Sequence, residues 1–222
     1  MMVGLYGGAF NPIHRCHLLV AETARTRLGL DAVLFIPSGD PPHKPPSDVI
    51  PAKHRLEMVR LAIAPYPDFQ LSDIETRRET KSFTIDTVRI LKESHPPGTH
   101  LVFIIGLDAF LELPSWKEPE HLLESCDFAV VSRAGFQFKS LDILPILGLS
   151  HPDQLARLDA GQLETYAFQL KSGRSLWALA MPPCEVSAKE IRRRLKARQS
   201  IENLLPTAVE SYILKHYSGA GG

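Results

Sequence analysis

What most constrains this chain is a strand, a glycine turn, a helix and a second strand compressed into its first 37 residues. The apolar run from Met1 to Tyr6 leads into Gly7-Gly8-Ala9-Phe10-Asn11-Pro12-Ile13-His14-Arg15-Cys16-His17. Leu18, Leu19, Ala21, Ala24 and Leu28 then recur at helix spacing before Gly29 supplies a stop. Ala32 to Pro37 is a continuous apolar stretch of the buried parallel type. Such a unit crosses over right-handed, which puts the glycine loop at the carboxyl edge of a sheet, where α/β proteins bind ligands. A glycine turn opening a helix lets backbone N–H groups approach a phosphate, and the helix N-terminus adds partial positive charge. His14 and His17 share one helix face. Taken alone, the segment is equally compatible with an ordinary turn and two solvated histidines. A metal centre is the poorer reading, because His-x-x-His lacks a further Cys, Asp or Glu at ligand spacing.

With 222 residues, 44% of them hydrophobic and 23% charged, the chain can bury one sizeable core, or form a main domain with a modest appendage. Its 25 basic and 25 acidic side chains cancel, which argues against general nucleic-acid binding. Cys16, Cys126 and Cys184 are odd in number and far apart, the pattern of reduced thiols in a cytoplasmic protein rather than of a disulfide framework. No stretch reaches membrane-spanning length and no leader pattern precedes the first strand.

Further along, strands alternate with helices, and the loops after the strands carry the chemistry. The proline-framed loop Ser38 to Pro51 holds His43 and Lys44, which either add charge to a phosphate pocket or decorate a surface connection. Ala52 to Ala64 is a predicted helix, Phe69 to Leu71 a short strand, and Ser82-Phe83-Thr84-Ile85-Asp86-Thr87 opens the next helix, with Thr84 as N-cap, ligand hydroxyl or both. The strand His100 to Ile105 runs into Gly106-Leu107-Asp108, where Asp108 is a helix cap or an acceptor for a ribose hydroxyl or amide. Trp116, in the polar loop Leu113-Pro114-Ser115-Trp116-Lys117, offers a flat face for a ring. Phe128 to Val131 is a strand ending in Ser132-Arg133. From Phe136 to about Gly173 the pattern loosens, with Gln154 to Leu170 weakly helical; Ser175 to Met181 is a last strand, and Trp177 within it a core residue. Ser187 with Glu190 forms a predicted capping box at a helix whose first turns add Lys189 and Arg192, a second place suited to phosphate. Arg193, Arg194, Lys196 and Arg198 are read as its solvated face, and Pro206 to Tyr217 closes the chain as a helix.

Seen together, these motifs resemble the His-x-Gly-His nucleotidyltransferase superfamily and, more narrowly, its bacterial nicotinate-nucleotide adenylyltransferase branch. The first loop alone is similar to the superfamily; Gly106-Leu107-Asp108 with Trp116 and Ser82 to Thr87 narrow it. The resemblance implies an α/β, Rossmann-like doubly wound parallel sheet with helices on both faces and a C-terminal helical segment. It implies one domain over residues 1–222, with an insertion at about 136–173 and the helical segment at about 187–217. Three positions depart from the family pattern: Cys16 stands for glycine, Asn11 for aspartate, and Ala188-Lys189 for a Ser and Thr pair.

The activity so implied is adenylyl transfer from ATP to nicotinate mononucleotide, giving deamido-NAD and pyrophosphate. The resemblance places His14, His17 and Lys44 at the reacting phosphates. Gly7, Gly8, Ala9, Phe10, Ser187, Ile191 and Arg192 fall to ATP, and Thr84, Gly106, Asp108, Trp116 and Arg133 to the nicotinate nucleotide. Mg²⁺ would travel with ATP without a dedicated cage, and NAD is a downstream product, not a cofactor. The expected partners are the two nucleotides, with no nucleic acid or membrane, in a monomer or homodimer. A sister enzyme acting on phosphopantetheine or nicotinamide mononucleotide, and a non-catalytic nucleotide sensor, are the alternatives.

Overall fold

A computed structural model describes residues 1–39, 49–78 and 81–217. In chain order the elements are β1 (Met2–Gly8), α1 (Arg15–Leu28), β2 (Ala32–Pro37), α2 (Ala52–Ile63), β3 (Phe69–Leu71), α3 (Thr84–Ser94), β4 (His100–Gly106), α4 (Leu107–Phe110), α5 (Pro119–Ser125), β5 (Asp127–Val131), α6 (Asp153–Asp159), β6 (Thr165–Gln169), β7 (Ser175–Leu179), α7 (Ala188–Lys196) and α8 (Thr207–Tyr217). Short 3-10 turns occupy Leu113–Ser115 and Phe138–Ile143. The strands form one seven-stranded sheet in the order β3-β2-β1-β4-β5-β7-β6. β1 runs parallel to β4, β4 to β5 and β5 to β7, while β6 lies antiparallel on β7. This is the expected Rossmann-like α/β sheet, parallel through β1, β4, β5 and β7 and antiparallel at the β6 edge.

That edge is a correction. The weakly helical reading of Gln154 to Leu170 holds only for the short α6; Thr165 to Gln169 is a strand. In β6 only Phe168 is buried, so the two-residue alternation that marks a half-buried strand is almost absent. Pairing with β7, from Thr165 opposite Leu179 to Gln169 opposite Ser175, decides its conformation. Trp177, expected in the core, is only partly buried on β7.

The chain divides into two compact units. The first comprises Met1–Tyr6, Thr23–Val33 and Phe83–Pro182. Its core gathers Leu5, Val33, Val102, Ile104, Leu176 and Ala178, with Phe128 edge-on to both Phe103 and Phe110. Buried Asp127 accepts the Ser175 backbone N–H at 2.9 Å, fixing where β7 starts beside β5. The second unit comprises Gly7–Glu22, Leu34–Ser82 and Pro183–Gly222. There Phe35 packs on Phe69, and Met58, Val59, Val209 and Ile213 form a helical core. A 2.8 Å bond between the His54 ring and the Tyr212 hydroxyl joins α2 to α8.

Because Phe128 is fully enclosed between two rings, Phe128→Ala is expected to lower stability by about 3–5 kcal/mol. Urea denaturation followed by circular dichroism measures this, and an unchanged midpoint would contradict the packing described.

Candidate active site

Within the second unit, β1 ends at Gly8 and the chain turns sharply. Phe10 takes φ +42°, in the left-handed region that non-glycine residues rarely adopt, and Asn11-Pro12 is a cis peptide. The Phe10 ring is buried between His17, edge-on at 5.2 Å, and Phe35 at 5.8 Å. Gly8 has a negative φ, and a Cβ there would meet the Phe10 ring at an ordinary 3.4 Å. Neither conformation nor packing within the chain therefore demands glycine at this position. Without a side chain, the backbone there can be approached closely.

His14 and His17 lie with ring centroids 3.7 Å apart, His14 buried and His17 half-buried. The His14 backbone N–H donates to His17 Nδ1 at 3.2 Å. That bond requires a bare Nδ1, so the neutral His17 ring carries its proton on Nε2 and presents a donor there. Asn11 is buried; its Oδ1 accepts the Ile50 N–H at 3.0 Å, a role that a neutral amide fills.

α7, in the same unit, is capped as expected: Glu190 N–H donates to Ser187 Oγ at 3.2 Å. The other half of the capping box is not made, because Arg193 and Arg194 draw the Glu190 carboxylate along the helix, at 2.7 and 2.8 Å. Their hydrogen bonds hold that carboxyl down at about 2. Arg192 instead donates to the Asn11 carbonyl at 2.6 Å, so it meets the His14 loop directly. Ile191 is fully buried, which gives its side chain a packing role. Lys44, and His43 beside it, lie outside the described residues.

The reading of three separate reduced thiols is overturned for two of them. Cys16 and Cys184 form a disulfide, with Cα atoms 5.8 Å apart across 168 residues of chain. Sequence separation gave no sign that the fold brings α1 to the segment before α7. Cys126 alone is unbonded; burial pushes its thiol up to about 12.

In the first unit, Asp108 sits inside α4 rather than capping it, since Gly106 is the N-cap residue. A Cβ on Gly106 would fall 2.5 Å from Asp108 Oδ1, so a side chain there would push the carboxylate away from the strand end. Arg133 Nε reaches Asp108 Oδ2 at 3.5 Å. The phenol of Tyr6 is buried beside this pair, and burial drives its ionisation well above the ordinary range. Thr84 is the first residue of α3, not its cap; the N-cap is Phe83 and no side chain closes the helix end. Trp116 follows the 3-10 turn, half-buried and edge-on to Phe103 at 6.5 Å. Lys117 bonds both Asp86 oxygens at 2.9 Å and lies 5.1 Å from the Phe83 ring centre, so the Trp116 loop is clasped to the start of α3. Asp108 and Arg133 are brought together directly; Thr84 and Trp116 are linked through this clasp.

The cytidylyltransferase-like family profile matches residues 5–194. A probable nicotinate-nucleotide adenylyltransferase of Pelobacter propionicus is 43% identical over 213 residues, covering 96% of this chain and 95% of the relative. Its counterpart in Geobacter metallireducens is 41% identical at the same coverage. The chain belongs to the nicotinate-nucleotide adenylyltransferases of the cytidylyltransferase-like family. Among solved structures, the nicotinic acid mononucleotide adenylyltransferase of Plasmodium falciparum complexed with NaAD superposes with a TM-score of 0.71 at 19% identity, covering 96% of this chain and 95% of that one. At that identity the likeness shows the fold.

Sequence reasoning missed Arg55. It is fully buried on α2 and donates to the carbonyls of Ile50 (2.8 Å), Ala9 (2.8 Å) and Gly39 (2.5 Å). The available signal was its spacing from Met58, Val59 and Ala62, three, four and seven positions on, which puts it on the buried face of α2. Each bond to a charged donor contributes about 1.5–3 kcal/mol. Arg55→Met is therefore expected to cost about 3 kcal/mol or more in chemical denaturation; a loss below about 1 kcal/mol would mean the three carbonyls find other donors.

Proposed function

We propose that this chain transfers the adenylyl group of ATP to nicotinate mononucleotide, releasing pyrophosphate and forming deamido-NAD. The observation that carries the reading is the His14 N–H bond to His17 Nδ1, which leaves the proton of the neutral ring on Nε2, in a loop with an unexplained glycine. A fixed donor of that kind suits phosphate oxygens, where charge accumulates as the α-phosphorus is displaced. The relatives named for this reaction support the choice of substrates.

The chemistry needs no protein nucleophile. A phosphate oxygen of nicotinate mononucleotide attacks the α-phosphorus in line and pyrophosphate leaves, so the protein positions and stabilises. His17 Nε2, His14 and the backbone of Gly7 to Phe10 receive the triphosphate. The Ser187 oxygen accepts the helix N–H while its hydroxyl proton remains a donor, and Arg192 brings a guanidinium to the same loop. Lys44 supplies further charge to the reacting phosphates. Asp108 and Arg133 bind polar groups of the nicotinate nucleotide, Trp116 stacks on its ring and Thr84 adds a hydroxyl. Among the described residues no three His, Cys, Asp or Glu side chains converge, so these residues do not form a metal cage. Mg²⁺ belongs with ATP, held by phosphate oxygens. No described helix is long and apolar enough to cross a membrane, and we place the reaction in the cytoplasm.

Pyrophosphate release should be fastest with ATP, Mg²⁺ and nicotinate mononucleotide, slower with nicotinamide mononucleotide, and absent with phosphopantetheine. ATP binding without release on any acceptor would instead point to a sensor. His17→Ala should lose ~100- to 1000-fold in kcat with an unchanged circular dichroism spectrum. Near-normal turnover would remove His17 from the mechanism. Trp116→Ala should raise KM for nicotinate mononucleotide more than for ATP, and equal effects on both substrates would refute stacking.

A further inference from the structure

The Cys16–Cys184 disulfide occupies a position that its sequence context makes consequential. Cys16 lies in the first turn of α1, between His14 and His17 in the chain, and is 5% exposed. Cys184 lies three residues before Ser187, the N-cap of α7, and is exposed. Both belong to the second unit. The intervening strap from Pro182 to Val186 has no regular structure, and among the described residues it makes no hydrogen bond. Two prolines stiffen it, yet the disulfide is the link that anchors it to α1. Beyond the strap, noncovalent contacts tie the same neighbourhoods: Arg192 to the Asn11 carbonyl at 2.6 Å, and Arg15 Nε to the Leu205 carbonyl at 3.3 Å.

Resting on the phosphate role given above to His17 and Ser187, we propose that Cys16 and Cys184 are positioning residues: their disulfide holds the two phosphate-binding helix starts together, and ATP affinity follows the thiol–disulfide state. The preorganised, oxidised form pays less ordering entropy on binding and takes ATP more tightly. The switching reaction is thiol–disulfide exchange with a dithiol. A dithiol thiolate attacks the Sγ of exposed Cys184 and displaces the Cys16 thiolate. The second dithiol sulfur then displaces Cys184, leaving two protein thiols and a cyclic disulfide. Two electrons and two protons pass to the protein, and a small disulfide such as oxidised glutathione reverses the step. Disulfides in a reducing compartment are characteristically transient and redox-sensing, which accords with the cytoplasmic placement. Cys126 takes no part, being buried with its thiol held protonated.

The test uses the full chain purified without reductant. Thiols titrated in denaturant should number one before dithiothreitol and three after. Reduction should raise KM for ATP on the order of tenfold, with kcat and KM for nicotinate mononucleotide nearly unchanged, and oxidised glutathione should restore it. Cys184→Ser should stay at the reduced value under either condition, while Cys126→Ser should follow the parent. Three thiols in the unreduced protein, an ATP KM indifferent to reduction, or equal rises for both substrates would each overturn the proposal. If no acceptor supports turnover in either state, the proposed reaction fails separately, and calorimetric ATP binding in the two states still decides the redox dependence.

Discussion

A buried guanidinium under the turn after β1 is the interaction on which the candidate phosphate site depends. Removing a cation from water is costly unless its donors are met, and Arg55 meets its own with carbonyls from three separated stretches, Ala9, Gly39 and Ile50. A neutral side chain could not supply that many donors in one planar fork. The Ala9 carbonyl is held next to Phe10, whose left-handed backbone costs about 1–2 kcal/mol relative to a relaxed residue. Burial of the Phe10 ring against Phe35 and His17 offsets that cost. The strained residue and the buried cation thus support one another, and the histidine pair inherits a fixed starting direction.

Around the end of β4, in the first unit, the same logic runs through small side chains. Glycine at position 106 leaves room for the Asp108 carboxylate to fold back over it, and Arg133 then answers the carboxylate. The Asp86–Lys117 contact does for Trp116 what Arg55 does for the glycine loop, turning a polar surface stretch into a located one. The Asp108–Arg133 and Asp86–Lys117 pairs are modest in energy, since exposed ion pairs contribute little to stability. Their effect lies in geometry: an aromatic on an unclasped loop would pay ordering entropy each time it stacked.

Elements with strong periodicity were legible from the residues: β2 runs from Ala32 to Pro37 and α2 begins at Ala52, as the apolar spacing indicates. The N-cap at Ser187 was legible because its chemistry is local. What escaped notice was settled at long range. β6 is a strand because β7 is beside it, not because of its own pattern. The Thr84 hydroxyl was offered as a cap by residue type alone, yet the helix begins one residue too early for it. Cys16 and Cys184 looked unrelated because 168 residues separate them. Arg55 carries the helix spacing of a buried position, but that its fork meets the Ala9 and Gly39 carbonyls beside nearby Ile50 is decided by the fold. The departures at Cys16 and Asn11 were visible as residue changes, but only their partners, Cys184 and the Ile50 N–H, give them meaning.

α7 shows why counting charge says little about binding. Its sequence offers Lys189, Arg192, Arg193 and Arg194 within two turns, a basic cluster in a chain of zero net charge. Helical geometry sorts them. Residues three and four positions after Glu190 share its face, so one carboxylate engages both Arg193 and Arg194. Arg192, two positions on, cannot share that face, and its guanidinium goes to Asn11 in the glycine loop. One acidic residue therefore keeps two arginines on the outer face and leaves the third directed at the histidine motif. Were Glu190 neutral, its hold on Arg193 and Arg194 would weaken and α7 would present an unfocused basic surface. The ion pairs themselves are too exposed to steady the fold, so their contribution is directional, placing positive charge at one loop instead of spreading it along a helix.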